Sequence, residues 1–189
     1  MSNQPIDLTE HFVSGEEVYR GQMLRVQCDV VRLPNGQQTT REYICHPGAV
    51  AIFAIDAQDC VVLERQFRYP IRSTIIEIPA GKRDPGEPLL ECAKRELLEE
   101  TGYRANNWTR MTTVHNALGY ADEFIEIFIA QDLHLEKQKL DDEEFLEVLH
   151  VPFDEALAMV QDGRITDVKT QLALLWWKNF GVGAGSATR

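Results

Sequence analysis

Four cysteines, Cys28, Cys45, Cys60 and Cys92, are scattered along the chain with no C-x-x-C pair among them. That spacing offers neither the paired ligands of a zinc site nor a disulfide framework, so reduced structural thiols are expected. Long hydrophobic runs are missing too. None approaches the length needed to span a bilayer, and Met1 to Glu10 lacks the basic-then-apolar layout of a secretory signal. The expectation is a cytoplasmic protein with no membrane partner. Positive charge is scarce as well: 19 Lys and Arg face 30 Asp and Glu, for a formal net charge of -11. A field of that sign repels nucleic acid and anionic lipid at long range, so neither is an expected partner. An anionic substrate would need a local remedy.

What the chain does have is apolar content, 44% of its 189 residues. That suffices for one substantial core and is short for two full domains. Leu24 to Leu33 and Thr39 to Cys45 are strand-like and flank Pro34-Asn35-Gly36-Gln37, whose Asn-Gly pair suits the positive backbone angles of a tight hairpin turn. Two further β-branched runs, Ala49 to Ile55 and Cys60 to Phe67, are separated by Asp56-Ala57-Gln58-Asp59, and Ile75 to Ile78 forms a shorter one. Strong helix formers then take over from Glu87 to Thr101. Pro88 fits a first turn, Gly102 is a natural stop, and Leu90, Ala93 and Leu97 recur at helical spacing and should face the core. Trp108 to His115, Phe124 to Ala130 and Phe145 to Val151 read as strands, and Phe153 to Gln161 and Thr166 to Asn179 as amphipathic helices. The order predicts an α+β fold with a mixed sheet rather than a regular βα alternation. It divides the chain into an N-terminal strand segment over 1–45, a principal domain over 46–180 and a frayed tail over 181–189.

On the central predicted helix Glu96, Glu99 and Glu100 stand at i, i+3 and i+4, within one arc of the helix surface. Like charges at that spacing repel by a few tenths of a kcal/mol, about 0.2–0.5 per pair, so the cluster makes most sense with a cation among them. Hard carboxylate oxygens suit Mg²⁺ or Mn²⁺, which keep positions open for water or substrate phosphate oxygens. Such an ion would bridge an acidic protein to a diphosphate and acidify a bound water. From the three glutamates alone a solvated helix face is the plainer reading; the surrounding frame shifts the balance. Gly81, Glu87, Arg95, Glu96, Leu97, Glu99, Glu100 and Gly102 satisfy G-x5-E-x7-R-E-U-x-E-E-x-G, with U a bulky aliphatic residue.

That pattern is the Nudix box, and the chain resembles the Nudix hydrolases. The box's final aliphatic position holds Tyr103 here. The resemblance implies a Nudix fold, an α/β/α sandwich around a mixed sheet with an N-terminal β-hairpin subdomain. It also implies Glu96, Glu99, Glu100 and the backbone carbonyl of Ala80 as metal ligands, Arg95 as the partner that holds a box glutamate, and Glu87 as a brace of the loop. Outside the box, Glu64-Arg65-Gln66-Phe67-Arg68-Tyr69-Pro70, Glu77-Ile78-Pro79-Ala80-Gly81 and Gly163-Arg164-Ile165-Thr166-Asp167, with Thr170, Ala173, Leu174 and Trp176, are similar to segments of ADP-ribose pyrophosphatases.

By that likeness Arg41 and Arg68 are candidates to hold the substrate's phosphates or terminal ribose, since guanidinium forks match phosphate oxygens. Their alternative is a surface salt bridge, with function favoured for Arg68 and the two readings balanced for Arg41. Glu77 is a candidate acceptor for adenine or ribose, or else a structural partner of an arginine. The catalytic base of the subfamily comes from an acidic loop before the last strand, here Asp141-Asp142-Glu143-Glu144, with Glu144 preferred and Glu143 its rival. His11, His46, His115, His134 and His150 form no ligand spacing, and Trp176 and Trp177 point to core or dimer packing. The implied reaction is Mg²⁺- or Mn²⁺-dependent hydrolysis of ADP-ribose to AMP and ribose 5-phosphate by a homodimer, for which the strand segment over 1–45 resembles the dimerisation segment of ADP-ribose pyrophosphatases. Where many ADP-ribose pyrophosphatases carry a proline, this chain has Asn116-Ala117-Leu118-Gly119-Tyr120, which keeps GDP-mannose and other nucleotide sugars open as alternatives. A non-cleaving ADP-ribose sensor is a reading of another class, and the intact box argues against it.

Overall fold

Residues 6–137 and 145–181 are described in the structure, a computed structural model. The acidic loop Asp141 to Glu144, and the expected tail beyond Gly181, lie outside the described residues. The chain forms two units.

The first takes in Met1–His46 and His115–Phe124. Its antiparallel sheet has the order β1 (His11–Arg20), β2 (Arg25–Arg32), β3 (Gln38–Ile44). The predicted hairpin is β2–β3, but its turn is looser than the Asn-Gly pair suggested. Only Gly36 takes a positive φ, 86°, and the Leu33 N–H reaches the Gln37 carbonyl at 2.8 Å while the Asn35 side chain accepts from the Gln37 N–H at 3.0 Å. β1 is an addition that the sequence pattern did not announce. It is exposed along its whole length and pairs with β2 through two register shifts. Gly15 faces Asp29 there, and a β-carbon on it would lie 1.9 Å from the Asp29 carboxylate, which also accepts the Tyr43 hydroxyl at 3.0 Å. Residues 115–124 join this unit through Ile44, which is bracketed by the Tyr120 carbonyl at 2.9 Å and the Asp122 N–H at 3.2 Å.

The second unit takes in Pro47–Val114 and Ile125–Arg189. One sheet runs β7 (Ala80–Lys82), β4 (Ala49–Ala54), β9 (Ile125–Leu135), β8 (Tyr103–Val114), with β4 and β9 parallel and the other pairs antiparallel. An antiparallel sheet runs β10 (Leu146–Pro152), β5 (Cys60–Arg68), β6 (Ser73–Glu77). Helix α1 (Leu89–Thr101) precedes β8, and α2 (Phe153–Gln161) and α3 (Val168–Trp176) follow β10.

β4 reads as an unbroken apolar run because both its faces are covered. Val50 and Ile52 pack with Cys92, Ala93 and Leu97 of α1, whereas Ala51 and Phe53 pack with Leu63, Ile78, Ile127 and the α2 and α3 residues Ala156 and Leu174. Helices therefore cover opposite faces of the central sheet, and the architecture is the expected α+β layering of mixed strands and helices. Leu97 is fully buried, a contribution of about 1.5–3 kcal/mol for a side chain of that size. α1 starts at Leu89, with Pro88 as its extended N-cap, and stops at Gly102, whose φ of 77° is the left-handed cap that a residue with a β-carbon adopts only with strain. β8 begins five residues before the predicted Trp108, since pairing with β9 carries the poor strand formers Ala105, Asn106 and Asn107 along.

Candidate active site

Burying Cys92, Ala93 and Leu97 fixes the roll of α1 and so decides where its acidic arc points. Glu96 and Glu100 come to rest nearly buried, at 8% and 5% exposure, and Glu99 stays partly open. The buried pair touches the first two residues of β7. The Ala80 N–H donates to Glu100 Oε2 at 3.0 Å, and Gly81 lies so near Glu96 that a β-carbon would sit 2.0 Å from the carboxyl carbon. The preceding peptide is pinned to the sheet, with the Ile52 N–H donating to the Pro79 carbonyl at 2.8 Å.

Arg95 crosses this cluster. Its Nε and Nη2 each donate to an oxygen of Glu87 at 3.0 Å, Nη1 donates to Glu96 Oε1 at 2.9 Å and to Glu99 Oε2 at 3.0 Å, and Nη2 also reaches the Lys82 carbonyl at 3.2 Å. One guanidinium thus ties α1 to the loop before it and neutralises part of the repulsion within the arc. The Arg95 hydrogen bonds hold the Glu87 carboxyl at about 2, and the same contact to Glu87 raises the Arg95 guanidinium further above its ordinary range. Glu87 also accepts the Asp84 N–H at 3.1 Å, bracing the loop. Burial pushes the Cys92 thiol up to about 12, so it is an inert core thiol at neutral pH.

A second cluster assembles on β5 and β6. Arg68 donates from Nε to Glu77 Oε1 at 2.7 Å, and Lys169 donates from Nζ to Glu77 Oε2 at 2.5 Å. Glu77 is 3% exposed and Lys169 8%. Burial by itself would raise the Glu77 carboxyl, but the Arg68 hydrogen bond and the Lys169 charge outweigh it and hold the group below its ordinary range. For Arg68, burial works against the charged form, and the bond to Glu77 reverses that and raises it. Glu64, 2% exposed, stands opposite Glu77 in the β5–β6 register. A cleft of about 820 Å³ lined by Arg65, Phe67, Thr74 and Ile76 belongs to the other face of these strands, because side chains alternate. It is therefore separate from the Arg68–Glu77 pair.

Of the residues singled out in the sequence, the structure brings Ala80, Arg95, Glu96, Glu99 and Glu100 together around β7 and α1, and Arg68 with Glu77. Arg41 lies on β3 in the first unit, in a two-pronged ion pair with Glu10 at 2.6 and 2.9 Å. Glu143 and Glu144 lie outside the described residues. Sequence reasoning missed Lys169, which a lysine's usual preference for solvent concealed, and Glu126, which is 5% exposed on β9, accepts the Thr113 hydroxyl at 2.6 Å and pairs with Arg110. Tyr103 fills the variant box position half-buried beside the α1 core, its hydroxyl 3.2 Å from His150 Nε2.

Among the described residues no three His, Cys, Asp or Glu side chains converge into a closed metal cage. The donor set nonetheless fits a hard divalent cation that keeps water or phosphate oxygens in its remaining positions, because the α1 arc supplies only carboxylates, backed by the cradle that Gly81 leaves for Glu96. A carboxylate arc braced by arginine, with the Arg68 guanidinium at the end of β5 in the same unit, is the equipment of a hydrolase acting on phosphoanhydrides.

The chain belongs to the Nudix family: the model described as NUDIX domain matches residues 46–170. It is 40% identical to an ADP-ribose pyrophosphatase of Bacillus subtilis (strain 168), over 88% of this chain and 91% of that protein. It is 38% identical to a methanol dehydrogenase activator of Bacillus methanolicus, over 87% and 90% of the two chains. A solved structure titled as that of an ADP compounds hydrolase superposes with a TM-score of 0.85 at 26% identity, covering 98% of this chain and all of the other.

Proposed function

We propose that this protein hydrolyses the diphosphate bridge of a nucleoside diphosphate sugar, with ADP-ribose giving AMP and ribose 5-phosphate, and that Mg²⁺ or Mn²⁺ supports the reaction. The observation that carries the reading is the meeting of Glu96 and Glu100 with the β7 backbone at Ala80 and Gly81. The relatedness to an ADP-ribose pyrophosphatase over most of both chains supports the choice of substrate.

In this reading Glu96, Glu99, Glu100 and the Ala80 carbonyl hold the cation, which when bound neutralises diphosphate charge and acidifies a water. Arg95 keeps Glu96 and Glu99 in position. Arg68, anchored at Nε, turns its Nη edge to a phosphate or the terminal ribose, and Glu77 aims it. Glu144, with Glu143 as the rival, takes the proton as water attacks one phosphorus; the bridging P–O bond then breaks and the oxygen leaves with the other phosphate. Arg41 is a second candidate phosphate contact, one that would have to leave Glu10. We also propose a cytoplasmic homodimer. Among the described residues no helix is long and apolar enough to cross a membrane.

Turnover of ADP-ribose, GDP-mannose and other nucleotide sugars in ¹⁸O-labelled water, with and without Mg²⁺, tests the reading. ADP-ribose should be cleaved fastest, with label in one monophosphate product and loss of activity in chelator. Faster cleavage of GDP-mannose would replace the substrate, and metal-independent turnover would overturn the mechanism. Light scattering at micromolar concentration checks the dimer.

A further inference from the structure

The four residues from the last of β6, Glu77, to the first of β7, Ala80, are gripped one after another. Lys169 holds the Glu77 side chain at 2.5 Å, the Thr170 hydroxyl accepts the Ile78 N–H at 2.8 Å, the Ile52 N–H holds the Pro79 carbonyl at 2.8 Å, and Glu100 accepts the Ala80 N–H at 3.0 Å. The first two grips come from neighbouring residues at the start of α3. Asp167 orders both of them. It caps the helix by accepting the Thr170 N–H at 2.9 Å, accepts the Thr170 hydroxyl at 2.6 Å, and pairs with Lys169 at 3.0 Å.

A lysine buried to 8% exposure needs carboxylates on hand, and Lys169 has Glu77 and Asp167. What the arrangement does to Arg68 is the useful part. Glu77 has two oxygens, and free to rotate it could offer both to the Arg68 fork, closing that guanidinium on itself as Arg41 and Glu10 do. Lys169 occupies Oε2, so Arg68 is left with a single bond, through Nε to Oε1. Among the described residues the Arg68 Nη atoms donate no hydrogen bond, and the side chain remains 44% exposed.

We propose that Lys169 is a positioning residue for substrate binding: by taking one oxygen of Glu77 it limits Arg68 to a one-point anchor and keeps its Nη edge turned outward for a phosphate or ribose oxygen. This rests on the proposed function, since it presumes an anionic substrate at Arg68. Lys169 touches no substrate itself. Its influence passes through Glu77 to Arg68 and should be absent when Arg68 is absent.

The test is steady-state kinetics on ADP-ribose with Mg²⁺ for Lys169→Met, Lys169→Arg, Arg68→Ala and the double variant Arg68→Ala/Lys169→Met. Lys169→Met should raise KM about tenfold with kcat within about twofold, the scale of one charge-assisted hydrogen bond, and Lys169→Arg should recover most of the loss. The double variant should be no worse than Arg68→Ala alone. Additive losses, or a fall in kcat at unchanged KM, would overturn the role of Lys169 while leaving the proposed function standing. A wild-type protein that cleaves none of the nucleotide sugars removes both. Should Lys169→Met not fold, Lys169→Gln, which keeps a donor without the charge, is put through the same cycle and read the same way.

Discussion

Gly81 and Glu96 are in such close contact that a β-carbon on the glycine would stand 2.1 and 2.3 Å from the two carboxylate oxygens. A β-carbon there would displace the flexible end of the Glu96 side chain, so the glycine sets where that carboxylate rests, and the box's opening glycine and its first helical glutamate are two halves of one contact. Gly81→Ala should push the Glu96 carboxylate away from β7 while leaving the buried α1 face, Ala93 and Leu97, intact. The expected result is a roughly 10–100-fold loss in divalent-metal affinity and turnover with little change in helix content. Calorimetric Mg²⁺ or Mn²⁺ titration beside circular dichroism checks it, and unaltered metal affinity would show that Glu96 does not need the cradle.

Arg95 serves three carboxylates, and its fork geometry is what lets it do so. A lysine keeps the charge but is a point donor, unable to span Glu87 on one side and Glu96 with Glu99 on the other. Arg95→Lys should lower stability by roughly 1–3 kcal/mol and weaken turnover more than Lys94→Ala, which breaks only the exposed pair with Glu91 at 2.8 Å. Denaturant melts of the two variants, read with their kcat, make the comparison. Equal effects would mean that Arg95 acts as a surface charge only.

How much of this was legible beforehand follows from where each signal resides. Helical periodicity put Glu96, Glu99 and Glu100 on one arc, and the left-handed cap at Gly102 was readable from composition, because both are local properties of α1. β1 was not legible. Its residues alternate poorly, it contains Gly15, and all ten are exposed, so no buried face imprinted a pattern on the sequence. β7 is three residues long and is held by pairing with β4, which is a tertiary fact. Lys169 escaped for the same reason. Nothing around it announces burial, and its partner Glu77 is 92 residues away in sequence. The local chemistry of the box was visible; the supports that aim it came from distant strands and from the last helix.

The Glu77 carboxyl gives a pH signature with a defined sign. The Arg68 bond and the Lys169 charge outweigh burial and lower it below 4.5, so as pH falls the unfolded chain takes up the proton first. The stabilisation from this group is complete above the unfolded value and is lost as pH falls through the lower native value. Melting temperatures of wild type and Glu77→Gln should differ by a constant amount from about pH 7 to about pH 5 and converge below that. A gap that widens in acid would mean that the native carboxyl titrates above the unfolded one and that burial dominates its environment.

Thr170 is fully buried, and its hydroxyl both accepts the Ile78 N–H at 2.8 Å and donates to Asp167 Oδ2 at 2.6 Å. Thr170→Val keeps the shape and removes both bonds, leaving a backbone N–H stranded at the end of β6, one residue from Glu77. An unsatisfied buried donor of that kind costs about 1–3 kcal/mol, whereas Thr170→Ser, which restores the hydroxyl at the loss of a methyl, should cost about 1 kcal/mol. Because the Ile78 N–H loses its acceptor, Thr170→Val should also speed amide exchange at Ile78 well beyond the general loss of stability, while Thr170→Ser leaves that site near its wild-type protection. If the Ile78 amide exchanges alike in all three proteins, the hydroxyl is not what fastens α3 to the strand that carries Glu77.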